Sequence, residues 1–181
     1  MTTTASSLLQ EIPTPAPFDA IFADMGATVV TYAHKPVFTV AESRDIDGLM
    51  PGGHTKNLFL KDKHGKLWLV TALSETQIDL KALAALLDAG RFSFGKAALL
   101  EEALGVTPGS VTPLALMHDK QCNVTPVWDA ALMASETLNV HPLRNDRTMN
   151  MTPEALRAFA QGTGHCPQIV DFSGSAPILK E

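Results

Sequence analysis

The spacing of apolar residues changes period several times along this chain, and each change marks an element. Phe18, Ile21, Phe22 and Met25 recur at helical spacing, and Gly26 is placed to end that helix in a left-handed turn. Thr14 before Pro15 reads as the helix start, because a hydroxyl caps free amides and proline tolerates the first turn. Thr28 to Tyr32 is rich in β-branched residues and predicts a strand. Leu58 to Asp62 and Lys66 to Ala72 flank Lys63-His64-Gly65, a hairpin with glycine in its turn. Leu80, Leu83, Leu86 and Leu87 make a helical stripe, and a second helix is predicted from Gly95 to Leu104 with Ser93 as its cap. Leu114 to Met117 and Val124 to Trp128 read as strands around an Asp119-Lys120-Gln121 turn. Thr152-Pro153-Glu154 opens a last helix that runs through Phe159 to Gly162-Thr163-Gly164, and Ile169 to Phe172 reads as a closing strand. Residues 1–13 form a polar, poorly patterned extension, leaving residues 14–181 as one domain. Short strands interspersed with helices predict α/β or α+β architecture.

Composition narrows the class. The 181 residues are 45% hydrophobic and 18% charged, ordinary for a globular domain able to bury one substantial core. No apolar run reaches membrane-spanning length, and Met1 to Ser7 lacks the basic start and apolar core of a secretory signal. Cys122 and Cys166 have no paired spacing and read as free thiols of a cytoplasmic protein. The net charge of −5 argues against a protein that coats nucleic acid. His54, Lys56, Lys61, Lys63, His64 and Lys66 are nevertheless clustered, and Arg144 and Arg147 form a second basic group. A local basic patch on an acidic body suits a grip on one end of an RNA.

Several enzyme signatures are missing. The chain has no GxSxG elbow, HExxH zinc helix, phosphate-binding GxxxxGK[ST] or dinucleotide GxGxxG. Its six histidines never fall at i and i+4 with a carboxylate nearby, so neither a catalytic metal nor a cofactor is expected. The most informative stretch is Pro51-Gly52-Gly53-His54-Thr55-Lys56-Asn57-Leu58-Phe59-Leu60-Lys61-Asp62. Lys56 and Asn57 stand where a glycine-rich loop stiffens into a strand, which can hold a cation and an amide at a cleft rim. Gly109-Ser110-Val111-Thr112-Pro113 is a loop whose glycine and proline allow close backbone approach to a small ligand. Pro142 holds His141 extended, so its imidazole is aimed by a rigid backbone.

Five ordered stretches together resemble the prolyl-tRNA editing family, which includes the YbaK-type deacylases and the editing domain of bacterial prolyl-tRNA synthetases. They are the lysine motif above, His34-Lys35-Pro36-Val37-Phe38-Thr39-Val40, Leu104 to Pro113, His141-Pro142-Leu143-Arg144-Asn145, and Gly164-His165-Cys166-Pro167. The resemblance runs from about Pro17 to Phe172 and is nearest the freestanding branch that clears alanine from proline tRNA. Lys35, and Trp128 before Asp129, depart from its pattern. It implies a mixed, partly closed sheet wrapped by helices, and a trans-editing hydrolase that cleaves the ester of Ala-tRNA(Pro). It also implies catalytic roles for Lys56, Asn57, Gly109 and Ser110, with His141, Thr112, Pro113, Gly164, His165 and Pro167 around the aminoacyl group. The implied partner is the acceptor end of tRNA, with prolyl-tRNA synthetase or an elongation factor as transient partners, and neither membrane nor duplex DNA. The alternatives are the same fold acting on Cys- or Ser-charged tRNA, or a non-catalytic module binding tRNA or the synthetase.

Overall fold

A ten-residue strand, β3 (Gly53–Asp62), organises the molecule. The computed structural model describes residues 8–36 and 48–180. Val37 to Val40 of the His34 motif, and Met1 to Ser7, lie outside the described residues. Before β3 come β1 (Gln10–Ile12), helix α1 (Phe18–Asp24) and β2 (Val30–Ala33). After it come β4 (Leu67–Leu73), α2 (Leu80–Leu86), β5 (Phe92–Phe94), α3 (Ala97–Leu104), a 3₁₀ helix (Pro113–His118), β6 (Val124–Asp129) and α4 (Ala130–Met133). The chain then forms β7 (Leu138–Val140), β8 (Arg147–Met151), α5 (Pro153–Gly162), β9 (Gln168–Asp171) and β10 (Ile178–Lys180). The strands make one mixed sheet in the order β1-β2-β8-β7-β3-β4-β6-β9-β10, with β5 also beside β3. Helices flank this sheet, as expected for the α/β class.

Alternation along β3 separates two cores. Phe59 points with Leu69 toward α3 and the 3₁₀ helix, packing on Leu100, Leu104 and Leu116. Leu60 points with Trp68 and Val70 toward α2, packing on Leu83 and Ala84. A third cluster joins Phe18, Phe22 and Phe159 of α1 and α5 to Trp128, Met149 and Met151 of the sheet.

Several expectations hold and several do not. Gly26 does end α1 at φ +65°, with the Ala27 amide donating back to Phe22. Helix α1 starts at Phe18 rather than Thr14, whose hydroxyl instead bonds that of Thr31 at 3.0 Å. Gln10–Ile12, read as part of the extension, pairs with β2 and joins the sheet. Ser93 lies in β5 opposite Lys61, and α3 begins after Lys96 without a side-chain cap. Leu114 to Met117 forms a 3₁₀ helix, not a strand, because the buried Thr112 hydroxyl accepts from the Leu114 amide and starts a turn. Short β7 and β8 and one-turn α4 carried no periodic signal.

The hairpin turn is held by one carboxylate. Asp62 accepts from the His64 and Lys66 amides at 2.8 and 2.9 Å and from the Trp68 indole at 3.1 Å. Burial raises its pKa, but these donors prevail and hold it below the usual carboxylate range.

Candidate active site

Lys56 lies inside β3, not at its entrance, and pairs with Ala72 of β4. Period-two alternation sends its side chain to the opposite face from Asn57, so the two heads do not share one rim. The half-buried Lys56 ammonium donates to the Ser74 carbonyl at 3.1 Å and to the Thr76 carbonyl. An ammonium has three protons, so these two carbonyls aim the third. Burial lowers the Lys56 pKa, opposed by the negative charges of Glu75 and Asp129.

Asp129 is a site residue that motif reading missed. It is buried, and Thr71↔Trp128 pairing sets the next residues, Ala72 and Asp129, level with Lys56. Its Oδ2 accepts from the Thr76 hydroxyl at 2.6 Å and the Leu73 amide at 3.3 Å, while Oδ1 accepts from the Ala131 amide at 3.0 Å. Asp129 therefore fixes Thr76, and Thr76 fixes Lys56. The only sequence cue was a carboxylate closing an apolar strand before Ala130-Ala131.

The Lys56 face carries further polar groups. His54 pairs with Asn139 of β7, and Asn139 pairs with Asn150 of β8. Buried Asn139 donates to the Pro51 carbonyl at 2.9 Å, as does Asn150 at 3.0 Å, and the two amides bond each other at 3.0 Å. This clamp fixes the start of β3. His141 follows two residues after Asn139, just past the end of β7. The His141 Nδ1 donates to the Arg147 carbonyl at 2.8 Å, so Nε2 carries the lone pair of the neutral ring. The His34 ring lies 6.2 Å away and bonds the Thr148 hydroxyl at 2.9 Å.

On its outer edge β3 changes neighbours. It pairs with β7 at Gly53 and His54 and with β5 from Leu60 to Asp62. The His54 carbonyl and Asp62 amide bond toward β4, so even-numbered backbone groups face that way. The Gly53 amide and Phe59 carbonyl face the other edge, reaching Thr137 and Gly95. By the same alternation the Asn57 main-chain amide points into the gap between β7 and β5. Its side-chain oxygen accepts from Thr71 at 2.8 Å, on the side of the 3₁₀ helix.

The Gly109 loop is a turn built by proline and glycine. Pro108 and Gly109, at φ +89°, occupy its centre, and the Ser110 amide donates to the Thr107 carbonyl at 3.0 Å. That amide is therefore engaged inside the loop. Thr112 and Pro113 are buried as cap and first turn of the 3₁₀ helix, where they build the scaffold of the loop. Val111 and Leu143 pack against the cluster that contains Phe59, which places this loop on the Asn57 side of β3.

Comparison with known proteins identifies the family. The model of the aminoacyl-tRNA editing domain matches residues 34–159. The chain belongs to the aminoacyl-tRNA editing domain family. The prolyl-tRNA synthetase associated domain-containing protein 1 of Bos taurus is 42% identical over 144 residues, covering 77% of this chain and 84% of that protein. The prolyl-tRNA editing protein ProX of Acetoanaerobium sticklandii is 31% identical over 157 residues, covering 84% of this chain and 96% of its own. A crystal structure described provisionally as a trans-editing enzyme for prolyl tRNA synthetase shares the fold, with a TM-score of 0.62 at 18% identity over 93% of this chain and 99% of that one.

In this editing domain the Gly164-His165-Cys166-Pro167 loop falls elsewhere than the site wall expected of it. The His165 side chain is 1% exposed, with Nε2 3.1 Å from Asp119 Oδ2 and Nδ1 3.0 Å from the Thr163 hydroxyl. Asp119 also accepts from the Val124 amide at 2.7 Å, at the start of β6. The whole of β6 separates that point from Asp129, about 16 Å of strand. Gly164 instead turns the chain at φ +87° beside the Cys122 sulfur. Cys122 and Cys166 are free thiols. Arg144 is not an open basic site either, since its guanidinium bonds Asp146 through two nitrogens at 3.0 and 2.6 Å.

Proposed function

We propose that this editing domain is a freestanding deacylase that hydrolyses mischarged tRNA, with alanine on proline tRNA as its substrate. The observation that carries the reading is the Lys56 ammonium, aimed by the Ser74 and Thr76 carbonyls, beside the gap where the Asn57 amide points outward. An aminoacyl ester is already activated, so positioning a water and stabilising an oxyanion supply most of what its cleavage needs. The third Lys56 proton is aimed at the negative charge of the terminal nucleotide. The Asn57 amide donates to the ester carbonyl as it becomes an oxyanion. Water adds to the carbonyl carbon, the bond to the ribose oxygen breaks, and that oxygen leaves with a proton. His141, fixed by Arg147 and backed by His34, walls the aminoacyl pocket on the far side.

A small aminoacyl group is hard to reject by binding alone, since one methylene is worth only about 1–3 kcal/mol. A second hydrolytic site that admits alanine and excludes proline meets that need. The test is release of alanine from charged proline tRNA by purified protein, with cysteine and serine esters alongside. Turnover of alanine above the other esters is expected. Saturable binding without loss of any ester would replace the deacylase with a binding module. Preference for cysteine or serine would move the substrate within the family.

A further inference from the structure

We infer that the groove beside β5 is a second contact for the unpaired 3′ end of the RNA, with Phe94 stacking on a base and Lys61 and Lys96 meeting phosphates. This inference rests on the deacylase reading and extends it from the ester to the strand that delivers it. Phe94 is 64% exposed, the most exposed large hydrophobic residue among those described. Its position is fixed, because β5 pairs with β3 in the register Leu60↔Phe94. Residues paired in this way share a face, so Phe94 stands on the Lys56 face of the sheet, while the Lys61–Ser93 pair stands on the α3 face and the groove runs around the edge between them. Four residues of strand separate Leu60 from Lys56, about 13 Å. The Asn57 amide points into the gap between them, so the groove and the ester site lie along one strand edge.

The groove is lined by Lys61, Ser93, Phe94, Gly95, Lys96 and Glu102, with a volume of about 410 Å³. Gly95 lets the chain lie flat on Phe59, since an added Cβ would stand 2.3 Å from that ring. Lys61 and Lys96 are exposed and, among the described residues, neither pairs with a carboxylate as Arg144 does, while Glu102 lines the same groove and limits the positive strip. An aromatic face between two lysines is the arrangement that holds single-stranded nucleic acid, where stacking tolerates any base and lysines follow the backbone. A chain of net charge −5 has no general affinity for polyanions, which makes a local strip of this kind selective.

The experiment uses uncharged RNA, so it does not depend on catalysis. A fluorescent acceptor-stem hairpin with a short unpaired 3′ tail, and the same hairpin blunt-ended, are titrated with the full chain. Phe94→Ala is expected to weaken binding of the tailed hairpin about tenfold and to leave the blunt one unchanged, with Phe94→Trp restoring it. Lys61→Ala and Lys96→Ala are each expected to reduce the salt slope for the tailed RNA by about 0.7. Equal affinity of wild type and Phe94→Ala for the tailed hairpin would overturn the inference. So would a concentration-dependent dimer of the wild type that Phe94→Ala dissolves, since the surface would then belong to a second copy. Failure of the deacylase reading appears separately, as a charged tRNA that binds through Phe94 and keeps its ester.

Discussion

Lys56 is a cation that the fold has both prepared and restrained. Burial lowers its pKa, while Asp129 and Glu75 pull it back up. A lowered pKa means that the folded protein loses this proton at a lower pH than free lysine, near 10.4. If the ammonium is required, deacylation corrected for spontaneous ester loss falls along an alkaline limb whose midpoint lies below that value. Asp129→Asn removes an attracting charge and should move the midpoint lower still, a shift that loss of packing alone would not produce. Lys56→Ala should cost at least about a hundredfold in rate with the melting curve unchanged, and Lys56→Arg should also be slow, since a planar fork cannot enter the Ser74–Thr76 carbonyl pair as an ammonium does. His141 calls for a different measurement. As a packed wall it excludes proline by overlap, so His141→Ala should raise the ratio of prolyl to alanyl ester cleavage on the same tRNA. A depressed alanine rate at an unchanged ratio would instead give the lone pair on Nε2 a part in the chemistry.

Among the elements, those with long apolar periods were legible and those held by polar contacts were not. The Leu80 stripe, the hairpin with Gly65 and the helix opened by Thr152 and Pro153 all form as read, because burial of one face decides them. Leu114 to Met117 misled because four apolar residues suit a buried strand or a buried 3₁₀ helix equally, and the Thr112 cap decides. The lysine motif was legible as chemistry, but the separation of Lys56 and Asn57 depended on how early β3 begins. That beginning is set by Gly52 and the Asn139–Asn150 clamp, partners nearly a hundred residues away. Gly52 adopts φ +91°, and a Cβ there would stand 2.3 Å from the Thr137 hydroxyl and 2.5 Å from its carbonyl oxygen. Gly52→Ala should therefore cost about 2 kcal/mol or more, read by chemical denaturation, and should loosen β3 from β7 before it affects the hairpin.

Across the whole molecule, the proposed site and the His165 anchor occupy opposite ends of the central strands. Lys56, Asp129 and His141 lie at one end, while Asp119, Thr163 and His165 tie α5 to the start of β6 at the other. His165→Phe leaves buried partners unsatisfied, a cost of about 1–3 kcal/mol, and should lower the melting temperature by a few degrees. The rate per folded molecule should stay at the wild-type value, whereas a pocket wall would change the ester preference. The gap in β3 exists because one long strand serves two short neighbours and neither reaches its middle. What the gap presents is main chain, and main chain is not subject to ordinary substitution. Walls, cations and turns can each be altered by changing a codon, but the hydrogen on the Asn57 nitrogen survives every replacement except proline. A hydrolase built around such a donor keeps its oxyanion contact while its pocket is reshaped, and the way to remove that contact alone is to exchange one peptide link for an ester by chemical synthesis.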